Sequence, residues 1–256
     1  MRRLAMFAYS VVAYAAFLVS FSAFALFLAD FLLPRTVDQG ATSLSPAAAV
    51  AVNLFLVALF GVPHSIMARQ GFKQRLTRLL PEPIERSTFV LVASLSLTVL
   101  MVAWQPMSST VWQVSIPALQ VLLWVVFVLG VVTVLVSTFL IDHFHLFGLK
   151  QTWSLLRGQE LREAPFTTPF LYKAVRHPMM LGVLMVLWST PRMTVGHLVL
   201  ALGMSLYVFV GMVFEERDLL RAFGERYAEY CRQVPQVIPG WPRRREPALA
   251  PVVFED

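Results

Sequence analysis

Long apolar runs, separated at wide intervals by short polar stretches, dominate this chain up to about residue 215. A helix crossing the ~30 Å hydrocarbon core of a bilayer needs roughly 20 residues at ~1.5 Å each. Four runs meet that length: Leu4–Leu33, Pro46–Ala68, Ser87–Ala103 with Trp104 on its flank, and Ile116–Ile141. A fifth apolar region, Met179–Phe214, is broken by Thr190-Pro191-Arg192, which leaves a first arm too short to cross and a second arm long enough. The pattern predicts an all-α polytopic membrane bundle of about five transmembrane helices, ending in a helix-turn-helix hairpin and a cytoplasmic amphipathic helix. It divides a single membrane domain, 1–256, into a four-span bundle (1–141), a hairpin-bearing catalytic part (142–241) and a proline- and arginine-containing tail (242–256) expected to be mobile.

Composition agrees with that solvent. Hydrophobic residues make up 57% and charged residues 14% of the 256 positions, against roughly 25% charged in soluble domains. The single cysteine, Cys231, excludes an intrachain disulfide and a cysteine-based zinc cluster. The net charge of +6 is unevenly placed. Arg2 and Arg3, the loop carrying Arg69, Lys73, Arg75, Arg78 and Arg86, and the segment with Lys150, Arg157, Arg162, Lys173 and Arg176 hold most of it, whereas the two intervening loops hold only Arg35. By the positive-inside rule both termini and the basic loops face the cytoplasm. That asymmetry accounts for the basic charge without a nucleic-acid partner, because no basic cluster sits on a soluble unit. Ala23-Phe24-Ala25 resembles a signal cleavage site, but it lies inside an apolar run far longer than a signal core, so the first span is expected to be retained.

Polar residues that persist against this background are the candidates for chemistry. Asp142-His143-Phe144-His145 follows the fourth span. Adjacent and i+2 positions point to different faces of a helix and the H-x-x-x-H spacing is missing, so no metal site is expected. Capping of a helix end and participation in an active-site mouth both remain open for these residues. Arg176-His177-Pro178 reads as a helix start, where free N–H groups, the helix dipole and an arginine fork favour an anion. Lipid-headgroup contact by Arg176 and capping by His177 are the plainer alternative.

At the other end of the hairpin, Tyr207, Gly211 and Glu215 fall at i, i+4 and i+8 on one helical face, which continues through Leu219, Phe223, Tyr227 and Tyr230 if the helix runs on. A carboxylate on that apolar stripe needs a partner such as Arg176 or a ligand cation, and Gly211 would let a flat ligand approach the backbone. Glu216 and Asp218 fit the solvated end of a span. His64 closes the second span next to Pro63, with Asn53 on nearly the same face, either as a polar stripe or as an interfacial histidine.

Taken in order, R-H-P-x-x-x-G (Arg176, His177, Pro178, Gly182), an apolar hairpin, E-E-R-D-L (Glu215 to Leu219) and F-G-x-x-Y-x-x-Y-x-x-x-V-P (Phe223, Gly224, Tyr227, Tyr230, Val234, Pro235) resemble the isoprenylcysteine carboxyl methyltransferase-like family of membrane methyltransferases. His64-Ser65-Ile66-Met67-Ala68-Arg69, Trp104-Gln105-Pro106, Phe139 to Phe144, Leu146 to Leu149 and Met193 to His197 narrow the resemblance to bacterial members acting on a small thiol, over nearly the whole chain. Met180 stands where the family carries an aromatic, and His145 where it carries an acidic residue. The resemblance implies a bacterial inner-membrane enzyme that holds S-adenosyl-L-methionine at the cytoplasmic side and converts methanethiol to dimethyl sulfide. Acceptors implied by its other members are a prenyl-cysteine carboxylate or a lipid amine. A non-enzymatic scaffold or transporter fits poorly, because no span carries a charged pair at mid-membrane. By motif position Arg176, His177, Pro178 and Gly182 form one side of the cofactor site, and Tyr207, Gly211, Glu215, Glu216, Tyr227 and Tyr230 the other.

A thiol must lose its proton before it attacks a sulfonium, and a thiol of pKa about 8.5 is only a few per cent ionised at neutral pH. A base or a cationic neighbour is therefore expected. Asp142, His143 and His64 are the candidates, with the choice among them open.

Overall fold

The computed structural model describes residues 1–161 and 167–240, so the expected mobile tail at 242–256 lies outside the described residues. The protein is an all-α membrane bundle. Five helices are long and apolar enough to cross a bilayer: α1 (Arg2–Leu28), α2 (Pro46–Met67), α4 (Glu85–Ala103, extended by a 3-10 turn at Glu82–Ile84), α5 (Pro117–Ile141) and α10 (Val195–Phe223). Shorter helices line the basic end: α3 (Gln70–Leu76), α6 (His143–Leu146), α7 (Leu149–Arg157), α8 (Leu171–Ala174) and α11 (Glu225–Gln233). The remaining helix, α9 (Pro178–Trp188), is the short arm of the hairpin.

Local chemistry sets the helix ends. The Ser45 side chain accepts from the Ala48 N–H and Pro46 occupies the first turn of α2. Thr194 caps α10 by accepting from His197. The first span ends at Leu28, five residues before the apolar run does, because Asp30 and Leu32 take positive φ and the chain turns back. There the Val37 N–H donates to Phe27 O, and the Trp104 indole donates to Val37 O, which buries both residues completely. Asn53 is not part of a stripe with His64; its amide spans the Gln105 backbone, donating to O at 2.8 Å and accepting from N at 2.9 Å.

The short arm reaches the far end by a change of structure. Its 11 helical residues rise about 16 Å, roughly half a bilayer core. The chain then runs extended into strand β2 (Arg192–Thr194), which pairs antiparallel with β1 (Thr110–Gln113) in the α4–α5 loop. Helix α9 can lie tight on α5 because Gly130 and Gly182 oppose each other: a Cβ on Gly182 would stand 2.7 Å from Gly130 O, and one on Gly130 2.8 Å from Gly182 O. His197 closes the hairpin through Leu187 O at 2.9 Å. The core between these layers is built of Phe24, Phe27, Leu56, Phe60, Leu100, Trp104, Phe127, Leu187, Leu200 and Met204.

Candidate functional site

Arg176, His177 and Glu216 form a charged knot where the short arm of the hairpin begins. His177 takes the N-cap position of α9, with Pro178 in the first turn, and is only 5% exposed. Its Nε2 lies 3.1 Å from Glu216 Oε1, and its Nδ1 is 3.6 Å from Glu215 Oε2. Arg176 donates through Nε to Glu216 Oε1 at 2.8 Å and through one terminal nitrogen to the carbonyls of Cys231 and Val234, at 3.1 and 2.6 Å. The backbone repeats the clasp, since Arg176 N–H donates to Pro235 O and His177 N–H to Gln236 O. Two neighbouring N–H groups and a guanidinium thus bind the V-P segment to the R-H-P turn.

Glu216, rather than Glu215, is the carboxylate that Arg176 holds. The two differ by 100° around α10, and Glu216 falls on the side facing α9 while Glu215 keeps a side chain 47% exposed. A sequence cannot choose between adjacent glutamates without knowing which way the helix faces. The stripe above Glu215 is as the spacing predicts: Tyr207 and Gly211 share its face, and a Cβ on Gly211 would meet nothing within 4 Å. Open space therefore lies beside Gly211, midway along the roughly 12 Å of helix between Tyr207 and Glu215.

The helical face does not continue into the tyrosines. Gly224 stands at φ +52° and ψ −131°, which ends α10 and folds α11 back. That reversal buries Tyr227 to 1% exposure, at 5.8 Å from the Tyr230 ring. Tyr230 donates to Tyr172 O at 2.5 Å, and burial pushes its phenol up to about 12. Tyr172 and the carbonyls of Cys231, Val234, Pro235 and Gln236 are participants that side-chain reasoning passed over; the V-P pair after the second tyrosine is the sequence signal that marks them. Gly182 is at the contact with α5, and its role there is close packing.

Of the three candidate bases, two are fully engaged. Asp142 has φ +146°, caps α6 by accepting from His145 N–H at 3.2 Å, and pairs with Lys150. Burial acts to raise its pKa, but the bonds from Lys150 and His145 win and hold it below the ordinary aspartate value. His143 is 3% exposed and stacked on Phe139 with ring centroids 4.0 Å apart. Its Nδ1 and Nε2 lie 2.8 Å from the hydroxyls of Thr138 and Tyr14. The Thr138 hydroxyl spends its proton on Leu135 O at 2.6 Å, so it accepts from His143 Nδ1–H, and Nε2 must accept from Tyr14. Burial holds the His143 pKa below its ordinary value, which favours this neutral tautomer.

His64 is different. Its Nδ1 is buried and has no hydrogen-bond partner among the described residues. The rings of Phe60, Phe89 and Tyr207 surround it at 5.3, 4.7 and 5.9 Å. Tyr207 is pressed on Gly61, where a Cβ would come within 2.9 Å of its ring, and its hydroxyl bonds the Ser65 side chain. Just past the end of α2, at the N-cap of α3, Arg69 reaches across to Asp218 on α10 at 2.8 Å. The described residues contain no group of three or more histidine, cysteine, aspartate or glutamate side chains that could hold a metal ion.

The chain is 47% identical over 244 residues to methanethiol S-methyltransferase of Mycobacterium tuberculosis, covering 95% of this chain and 99% of that protein. It is 46% identical over 237 residues to methanethiol S-methyltransferase 1 of Bradyrhizobium diazoefficiens, covering 93% and 82%. A more distant similarity, 29% over 187 residues, links it to nurim of Xenopus laevis, with 69% and 64% covered. No solved structure matches. The NnrU protein family model matches residues 52–252, which takes in most of α2, the hairpin and the whole charged knot. With that match and these identities, the chain belongs to the NnrU protein family, alongside bacterial proteins named methanethiol S-methyltransferase.

Proposed function

We propose that this protein is an integral inner-membrane enzyme, both termini cytoplasmic, that methylates methanethiol to dimethyl sulfide with S-adenosyl-L-methionine as donor. The observation that carries the reading is the charged knot of Arg176, His177 and Glu216 beside an open face of α10, at the basic end of the bundle. The identities to proteins named for that reaction supply the acceptor.

The side chains present suit such a donor. Glu215 is half exposed and offers a carboxylate to an ammonium or a ribose hydroxyl. The first turn of α9 offers N–H groups and the positive end of a dipole to a carboxylate. Open space at Gly211 admits a flat ring, with Tyr207 above it and Tyr227 and Tyr230 behind the knot. When bound, the donor supplies an electrophilic methyl on a sulfonium. Arg176 donates three N–H groups to Glu216, Cys231 and Val234 and brings its other terminal nitrogen to 2.8 Å from Glu216, so its main work is to hold the turn in shape. His177 keeps Glu215 and Glu216 apart and oriented.

The overall balance is a thiol and a sulfonium giving two neutral thioethers and a proton. In the transfer step itself a thiolate and a sulfonium cancel their charges, and a dry site at a membrane favours that cancellation. A base at the inner end of α2 or α5, among His64, Asp142 and His143, takes the proton. Membranes containing the protein, given methanethiol and S-adenosyl-L-methionine, are expected to release dimethyl sulfide into the headspace. Methyl transfer into a prenyl-cysteine or lipid fraction with no sulfide released would replace this reading with another acceptor.

A further inference from the structure

We infer that Arg69 is a positioning residue of the donor site: by pinning the end of α2 to α10 at Phe214 and Asp218, it fixes the width of an opening in the α2–α10 seam beside Gly211. The inference deepens the proposed methyl transfer and rests on it, because that reading lays the donor's ring at the same opening.

The two helices run in the same direction and meet at four-residue intervals. Val57 faces Gly203, where a Cβ would come within 3.2 Å of the valine Cγ1, and Gly61 faces Tyr207, where a Cβ would come within 2.9 Å of the ring. Arg69 faces Phe214 and Asp218, with its guanidinium carbon 5.4 Å from the Phe214 ring centroid and a terminal nitrogen 2.8 Å from Asp218 Oδ2. That register puts Ser65 opposite Gly211, and there the seam does not close. A Cβ on Gly211 would meet nothing within 4 Å, and the Ser65 hydroxyl is bonded to Tyr207 instead. One open step therefore lies between two closed ones, and Arg69 makes the closure on the cytoplasmic side.

The two arginines divide the work around α10. Asp218 and Glu216 are two residues apart, about 200° around the helix, so Arg69 and Arg176 grip nearly opposite sides of it. Glu215 stands in the sector between them, about 60° from Asp218 and about 100° from Glu216. A shift at the end of α2 thus changes the opening on one side of Glu215, while the knot still holds the other.

Arg69 is aligned before it reaches α10. Its Nε donates at 3.1 Å to Ser65 O, one of the carbonyls left without an intrahelical partner at the end of α2. The side chains of Arg69 and Asp218 are 31% and 35% exposed, and pairs so open to solvent contribute little to stability. What the contact supplies is alignment, and misplacement by about 1 Å is enough to cost on the order of 100-fold in catalysis. Asp218 also accepts from Arg221 at 3.3 Å, but Arg221 belongs to α10 itself and cannot join it to α2.

The test uses the full-length protein. Arg69→Gln should weaken S-adenosylhomocysteine binding by calorimetry and raise KM for S-adenosyl-L-methionine, each about tenfold, with KM for methanethiol and the melting temperature unchanged. Arg221→Ala should alter none of these. A covalent strap separates alignment from direct contact with the ligand. In a Cys231→Ser background, Arg69→Cys with Asp218→Cys should bind weakly. Joining the two thiols with a short bis-maleimide, counted by mass, should return affinity to within about threefold of the parent, since the strap restores the alignment without the arginine. Parent affinity in Arg69→Gln, a melting temperature that falls in step with affinity, thiols that do not join, or a strapped protein that stays weak each overturns the inference. Release of dimethyl sulfide by the parent alongside any of these results sinks this inference alone; no sulfide from the parent sinks the proposed function beneath it.

Discussion

Arg176 and Glu216 meet twice at one oxygen, with Nε and a terminal guanidinium nitrogen each 2.8 Å from Glu216 Oε1. The same guanidinium ties down Cys231 O and Val234 O, and the same carboxylate oxygen takes His177 Nε2. One pair of side chains thus joins the hairpin's first turn, the end of its long arm and the segment after α11. Arginine suits this because its planar fork reaches several acceptors in fixed directions, which lysine cannot do.

Breaking this pair should damage both fold and ligand binding. Both side chains are four-fifths or more buried, and removing one partner of a buried pair costs about 3–5 kcal/mol. Glu216→Ala and Arg176→Ala are expected to lower thermal stability in detergent and abolish S-adenosylhomocysteine binding by calorimetry. Arg176→Lys should retain the charge and still lose most of the affinity. Full affinity in Arg176→Lys would show that charge alone suffices.

Gly182 and Gly211 stand on neighbouring arms of the hairpin and should answer the same substitution oppositely. Alanine at Gly182 drives its methyl into Gly130 O and Val134, and overpacking of this kind costs about 1–3 kcal/mol. Alanine at Gly211 meets nothing within 4 Å, so the fold should be indifferent. If the donor lies along the Gly211 face, Gly211→Ala weakens S-adenosylhomocysteine binding at unchanged melting temperature, while Gly182→Ala lowers the melting temperature first.

His143 should behave as a structural histidine with a pH signature. Burial holds its pKa below the ordinary value of 6.5, so on acidification the unfolded chain takes up the proton before the folded one does. The stability it contributes is complete above that value and is lost as pH falls through the lower folded value. Melting temperature is expected to drop from about pH 7.5 to about pH 5.5, less steeply in His143→Asn. Tyr14→Phe, which removes the donor to Nε2, should destabilise at both pH values. An identical slope in parent and His143→Asn would place the pH dependence elsewhere.

Periodicity carried most of the architecture, because crossing a bilayer imposes a length that apolar runs reveal directly. It failed where polar backbone chemistry overrides hydropathy: Leu32 and Leu33 are apolar, yet positive φ at Asp30 and Leu32 ends α1 before them. The candidate site was legible as a set of residue types and only partly as pairings. Glu215 and Glu216 are interchangeable in a sequence and 100° apart on a helix. Asp142 and His143 looked like chemistry and are held by Lys150, Thr138 and Tyr14, three partners supplied by folding. His64 gave no stronger signal than they did; what separates it is a missing hydrogen bond, visible only in three dimensions.

Gly224 provides the sharpest test of how α11 contributes. Its φ of +52° with ψ of −131° is a conformation that residues with a Cβ rarely adopt, while a Cβ there would touch nothing within 4 Å. Gly224→Ala therefore changes backbone preference and no packing contact. Its cost, about 1–3 kcal/mol, should fall on the turn that lays Tyr227 and Tyr230 beside Arg176. The expected outcome is faster hydrogen exchange in residues 225–236 and weaker S-adenosylhomocysteine binding, with exchange in α1, α4 and α5 unchanged. Were affinity to survive while 225–236 exchanged freely, α11 would be a cover for the knot with no part in holding the ligand.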